Sequence, residues 1–151
     1  MKEFRTFSEA ETVEAGFKLG SVLKAGDVVC INGDLGTGKT AFTKGIAQAL
    51  GIDGYITSPT FTIVNEHKGT VDLFHFDVYR IASPDEMFEI GFDEYLDGKG
   101  VVVIEWSDLI AEIIPPEHIR VDMEKLPDDF NARVIRINFI GKGYEHYEGR
   151  L

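Results

Sequence analysis

The stretch GDLGTGKT, residues 33 to 40, constrains the fold more than any other, because its chemistry works only between a strand and a helix. Val28, Val29, Cys30 and Ile31 form a short apolar run rich in β-branched residues, which reads as a buried strand. From Lys39 onward, Phe42, Ile46, Ala49 and Leu50 recur at helical spacing, and Gly51 stands where a helix ends. Strand, loop and helix therefore come in the order a phosphate cradle needs. The competing reading, a glycine-rich turn, explains the glycines but not that order. Gly33 and Gly38 lack a Cβ, so the backbone can curl and aim successive N–H groups at an anion, helped by the positive end of the helix dipole. The candidate cradle runs through Gly33, Asp34, Leu35, Gly36, Thr37, Gly38, Lys39, Thr40 and Ala41. Lys39 would supply a point charge to the β- and γ-phosphates of a nucleotide, and Thr40 a hydroxyl to the accompanying Mg2+.

Along the rest of the chain, Ser8 and Glu11 make an S-x-x-E capping box ahead of a helix with Val13, Gly16, Phe17, Gly20 and Leu23 on one face. Tyr55 to Thr57 and Phe61 to Val64 read as extended, broken by Ser58-Pro59. Val71 to Phe76 reads as a strand. Ser83-Pro84-Asp85-Glu86 opens a short helix with Ser83 as N-cap, and Gly91 ends it. Val101 to Ile104 is a second uniform run, the pattern of a parallel strand covered on both faces, and belongs beside the first. Beyond Pro115-Pro116, Ile119, Val121 and Met123 alternate with polar residues, as do Ile135, Ile137 and Phe139, which predicts an antiparallel pair.

A chain of 151 residues, 44% of them apolar, suits one core, so a single domain over 1–151 is expected. No run approaches a membrane span and the N-terminus has no apolar leader, which predicts a cytoplasmic protein. Cys30, the single cysteine, reads as a packed thiol. The formal charge is −11, with 7 basic and 9 acidic residues in 1–75 against 8 and 17 in 76–151. Such an acidic surface argues against unaided tight binding of nucleic acid. It leaves two readings, a basic protein partner or an ordinary solvated surface.

A cradle of this kind needs an acid at the end of a neighbouring strand. Asp77 and Glu105 are the candidates. The run before Glu105 is continuously apolar and hence central, whereas Asp72 and His75 mark the strand before Asp77 as nearer an edge, so Glu105 is assigned to the metal. Asp77 can then orient or deprotonate a water, or be a solvated acid paired with Arg80. Thr60 either senses the γ-phosphate or Mg2+, or is a turn residue after Pro59. Trp106 either covers the nucleotide or fills the core, the commoner use of an aromatic. His75 reads as a hydrogen-bonded strand residue, and His67, His118 and His146 share no metal-ligand spacing.

GDLGTGKT, SPTFT, HFDVYR, an IG before an acidic stretch, and IEW, in this order and spacing, resemble the TsaE (YjeE) family of bacterial ATPases required for threonylcarbamoyl-adenosine modification of tRNA. The resemblance covers nearly the whole chain, loosely after Pro115. It implies an α/β P-loop NTPase-like three-layer sandwich with a mixed, mainly parallel sheet and a C-terminal antiparallel pair. It implies ATP and Mg2+ as ligands and weak intrinsic hydrolysis. Lys39 would sit on the phosphates, Thr40 and Glu105 on Mg2+, Asp77 would be the catalytic acid, Thr60 switch-like, and Trp106 near the nucleotide. Arg133, Ser8 and Thr12, with Thr6, are candidate contacts to adenine or ribose. The implied partners are the two sugar-kinase-like subunits of the tRNA threonylcarbamoyl transferase, which ATP turnover would reset between rounds.

The main rival is a small P-loop kinase acting on a metabolite. Kinases of that kind carry a basic lid, and between Lys44 and Lys99 this chain offers only Lys68 and Arg80. A GTPase ranks lower because no N-K-x-D motif appears. A nucleotide-dependent adaptor with hardly any turnover is the third class.

Overall fold

A computed structural model describes residues 1–151. Seven strands form one sheet: β1 (Lys2–Thr6), β2 (Val28–Asn32), β3 (Val64–His67), β4 (Leu73–Asp77), β5 (Val101–Glu105), β6 (His118–Leu126) and β7 (Asp129–Ile140), in the order β1-β7-β6-β2-β5-β4-β3. The four inner strands β6, β2, β5 and β4 run parallel, and β7, β1 and β3 are added antiparallel on the two flanks. The C-terminal pair therefore extends the sheet and does not cover it.

Helices α1 (Glu9–Gly20) and α2 (Lys39–Ala49) lie on one face over Val29, Ile31, Val101, Val103, Ile119 and Val121. On the other face Met87 of α3 (Asp85–Glu89), Phe92 of α4 (Phe92–Tyr95) and Ile110 of a 3₁₀ segment (Ser107–Ile113) pack on Cys30, Phe74, Phe76, Val102 and Ile104. Every residue of β2, β4 and β5 is buried, as expected of strands covered on both faces.

Local signals act as read at several points. Ser8 caps α1 by accepting from Glu11 N (3.1 Å), and Glu11 accepts from Phe7 N (3.2 Å). Gly91, at φ 78°, separates α3 from α4. Other expectations are corrected. The buried face of α1 is Thr12, Ala15, Gly16, Leu19 and Gly20, so Phe17 points outward, because small residues are what a close helix neighbour requires. Residues 61 to 63 turn and do not extend, and Ile63 (φ 69°) takes a left-handed conformation before β3 begins. Ser83 does not cap α3 through its side chain; the Glu86 carboxylate instead accepts from Ala82 N (2.6 Å) and Ser83 N (3.2 Å). β4 does lie nearer an edge than β5, as expected, but it is buried throughout despite His75, because β3 covers its outer side. β1 was not expected at all.

Burial pushes the Cys30 thiol up to about 12. The native chain should accordingly resist Ellman's reagent, with one thiol per chain reacting only after guanidinium is added. Rapid stoichiometric labelling of the folded protein would contradict the packing of β2. No helix is long and apolar enough to cross a membrane.

Candidate functional site

The parallel order of β2, β5 and β4 puts three strand ends side by side, and the site is assembled at those ends. β2 leads into the loop Gly33–Gly38 and then α2, the arrangement in which backbone N–H groups and the helix dipole converge on an anion. Gly36 (φ 78°) and Gly38 (φ 102°) turn the chain through left-handed conformations that a side chain would strain. Lys39 folds back across the loop: its ammonium donates to Gly33 O (2.6 Å) and Asp34 O (2.9 Å) and lies 4.0 Å from the centre of the Trp106 ring. Burial lowers the Lys39 pKa, opposed by the charges of Glu105, Asp77 and Asp34.

β5 ends in Glu105 and β4 in Asp77, direct partners across the sheet and both buried. The Thr40 hydroxyl donates to Glu105 and is 3.3 Å from each carboxylate oxygen. Two elements from opposite sides of the loop thus bring together the hydroxyl and the acid that the sequence paired. Asp77 Oδ2 accepts from Ser58 Oγ (2.6 Å) and, at longer range, Thr60 Oγ1 (3.3 Å). Its Oδ1 accepts from Tyr79 N (2.9 Å), an Asx-type turn that ends β4.

These groups open on a cleft of about 790 Å³. Of the residues singled out from the sequence, Ser8, Thr12, Leu35, Gly36, Thr37, Gly38, Lys39, Thr40, Ala41, Thr60, Asp77, Glu105, Trp106 and Arg133 all line it. Gly33 and Asp34 do not; they face a second hollow behind the loop and meet Lys39 through their carbonyls. Ser8 is engaged as a helix cap and the Thr12 hydroxyl shares a hydrogen bond with Thr6 (2.8 Å), so both reach the wall already partnered. Arg133 braces the cradle, donating to Thr37 O (3.0 Å) and Gly36 O (3.1 Å).

Trp106 both stacks and lines. It adopts φ 65°, rare for a bulky residue, held by Trp106 N to Ile31 O (2.9 Å), and its ring stacks on Tyr79 at 4.5 Å. Arg80 lines the cleft but is not paired with Asp77: its guanidinium lies over the ring of Phe61 at 4.8 Å. Glu9, Ser58, Tyr79, Arg80 and Asn131 are lining residues that the sequence reading missed. For Tyr79 and Arg80 the signal was there, since both follow a strand-end acid. Asn131 sits in the β6–β7 hairpin and carries no local signature.

The family model described as threonylcarbamoyl adenosine biosynthesis protein TsaE matches residues 6–135. A Bacillus subtilis (strain 168) protein named tRNA threonylcarbamoyladenosine biosynthesis protein TsaE is 42% identical over 144 residues, 95% of this chain and 89% of that protein. A Treponema pallidum (strain Nichols) protein of the same name is 42% identical over 121 residues, 80% of this chain and 90% of its own length. Among solved structures, Bacillus subtilis YdiB superposes with a TM-score of 0.85 at 37% identity, covering 99% of this chain and 93% of that one.

Proposed function

Since the chain belongs to the TsaE family of threonylcarbamoyl adenosine biosynthesis proteins, we propose that it is a Mg2+-dependent ATPase supporting that tRNA modification. The observation that carries this reading is the pairing of Asp77 and Glu105 at adjacent strand ends, opposite Lys39 and Thr40 of the cradle. The cradle N–H groups and Lys39 take the phosphates, and Trp106 and Arg133 shape the wall against the nucleotide. The whole chain acts as one domain.

The residues present fit a magnesium ion. Thr40 donates its proton to Glu105, which leaves the hydroxyl lone pairs free, and hard oxygen donors in small number are what Mg2+ uses when phosphates and water complete its shell. Bound there, the ion would neutralise charge on the β- and γ-oxygens. Asp77 does the rest. An ionised carboxylate offers about four lone-pair sites; Ser58, Thr60 and Tyr79 N engage three, and the remaining one can hold a water in line with the terminal phosphate. Because Ser58 and Thr60 belong to the loop before β3, a ligand that draws Thr60 away would report to that loop.

Turnover would reset the two sugar-kinase-like subunits of the transferase between rounds. An acidic chain that leaves tRNA to its partners suits this division. The test is Asp77→Asn, assayed for ATP hydrolysis alone and with those subunits. Hydrolysis should fall by about 10²–10⁴-fold, the usual contribution of a positioned base, with ATP binding retained. Intact tRNA modification by this variant and no stimulation of the parent by the subunits would leave an adaptor that only binds ATP. A phosphorylated metabolite among the products would instead mark a kinase.

A further inference from the structure

We infer that His75 is a positioning residue for Glu105, holding the carboxylate that faces Thr40; the inference rests on the proposed metal role of Glu105. His75 is completely buried in the middle of β4. Burying an imidazole sacrifices hydration that only a good partner returns. The partner is Glu105: His75 Nε2 lies 2.5 Å from Glu105 Oε2.

Strand register explains the contact. Asp77 is opposite Glu105 and His75 opposite Val103, so His75 and Glu105 are diagonal neighbours on the same face of the sheet. To serve as a metal ligand the Glu105 carboxylate must accept, which assigns the proton of this contact to His75 Nε2. The other nitrogen, Nδ1, is buried with no hydrogen-bond partner. All the hydrogen bonding of this ring is therefore directed at one oxygen of one acid. Thr40 Oγ1 is equidistant from both Glu105 oxygens and does not by itself choose between them. His75 makes the choice: it engages Oε2 and leaves Oε1 without a contact to the ring. Partners of this kind typically change metal affinity or activity 10–100-fold when removed.

The test compares the parent, His75→Leu and His75→Gln in two titrations, an ATP analogue without metal and Mn2+ added to the analogue-bound chain, the latter followed by electron paramagnetic resonance. His75→Leu should raise the Mn2+ concentration for half-saturation by about 10–100-fold and leave metal-free nucleotide affinity unchanged. His75→Gln, whose amide N–H can reach the same oxygen, should recover most of the loss. A parent that binds Mn2+ with the analogue beside an equally tight His75→Leu overturns this inference alone. A parent that shows no metal dependence overturns the metal-site reading beneath it. If His75→Gln is as weak as His75→Leu, packing accounts for the loss and the inference fails. Should the leucine variant not fold, histidine 15N shifts of the unmodified chain decide: an Nε2-protonated ring supports the assignment, and an Nδ1-protonated ring refutes it.

Discussion

Replacing Lys39 by alanine is expected to raise the dissociation constant for ATP at least about 100-fold, about 2.8 kcal/mol. Two losses combine. The first is a charge-assisted contact to phosphate, worth more than a neutral hydrogen bond. The second is electrostatic: the ammonium offsets the charges of Glu105, Asp77 and Asp34, and without it only Arg80 and Arg133 remain as cations lining the cleft against those carboxylates. The Gly33 and Asp34 carbonyls also lose their donor, so the loop loses the strap across its own mouth. Isothermal calorimetry with Mg·ATP measures the effect, with circular dichroism to establish that the variant folds. Affinity within tenfold of the parent would show that the backbone amides alone carry the phosphates.

Gly45→Ala should unfold the chain more readily by about 3 kcal/mol, at the upper end for overpacking, and lower the melting temperature by roughly 6–12 °C. The reason is the crossing of α1 and α2. A Cβ on Gly45 would stand 1.9 Å from Val13 O, and one on Gly16 would stand 2.0 Å from Phe42 O, both main-chain atoms. The helices touch backbone to backbone in both directions. The gain in helix propensity from glycine to alanine, about 1 kcal/mol, is too small to offset forcing two main chains apart. Gly149→Ala, where a Cβ meets nothing within 4 Å, is the control and should melt with the parent. A Gly45→Ala chain that melts with that control would disprove the contact. Thr12 lies on α1 and Ser8 caps it, and α2 begins at the cradle, so the same substitution should also disturb one wall of the cleft.

The α1–α2 contact also shows where sequence reasoning stops. The predicted stripe of Val13, Gly16, Phe17, Gly20 and Leu23 held both contact glycines, but large apolar residues announce a buried face and Phe17 is exposed; the contact is made by what Gly16 and Gly20 lack. The inner strands were legible for the opposite reason: β2 and β5 are covered on both sides, and their uniform β-branched runs say so. From those runs followed the placement of Glu105 beside the cradle, and its meeting with Thr40 is a local result of register. β1 was not legible because a five-residue edge strand is specified by its pairing with β7, about 130 residues away. The diagonal contact of His75 with Glu105 depends on the same kind of long-range register. Tyr79 and Arg80 reach the cleft through the turn at Asp77, which their place after a strand-end acid signals although no periodicity does.

Arg133 joins the last strand of the sheet to a loop that lies 96 and 97 positions earlier in the chain. On the ribosome, the loop Gly33–Gly38 leaves the exit tunnel long before the residue that steadies it. The bracing of the loop therefore arrives late in synthesis, with closure of the β6–β7 hairpin, so a nascent chain halted after β5 would display the motif and lack its brace.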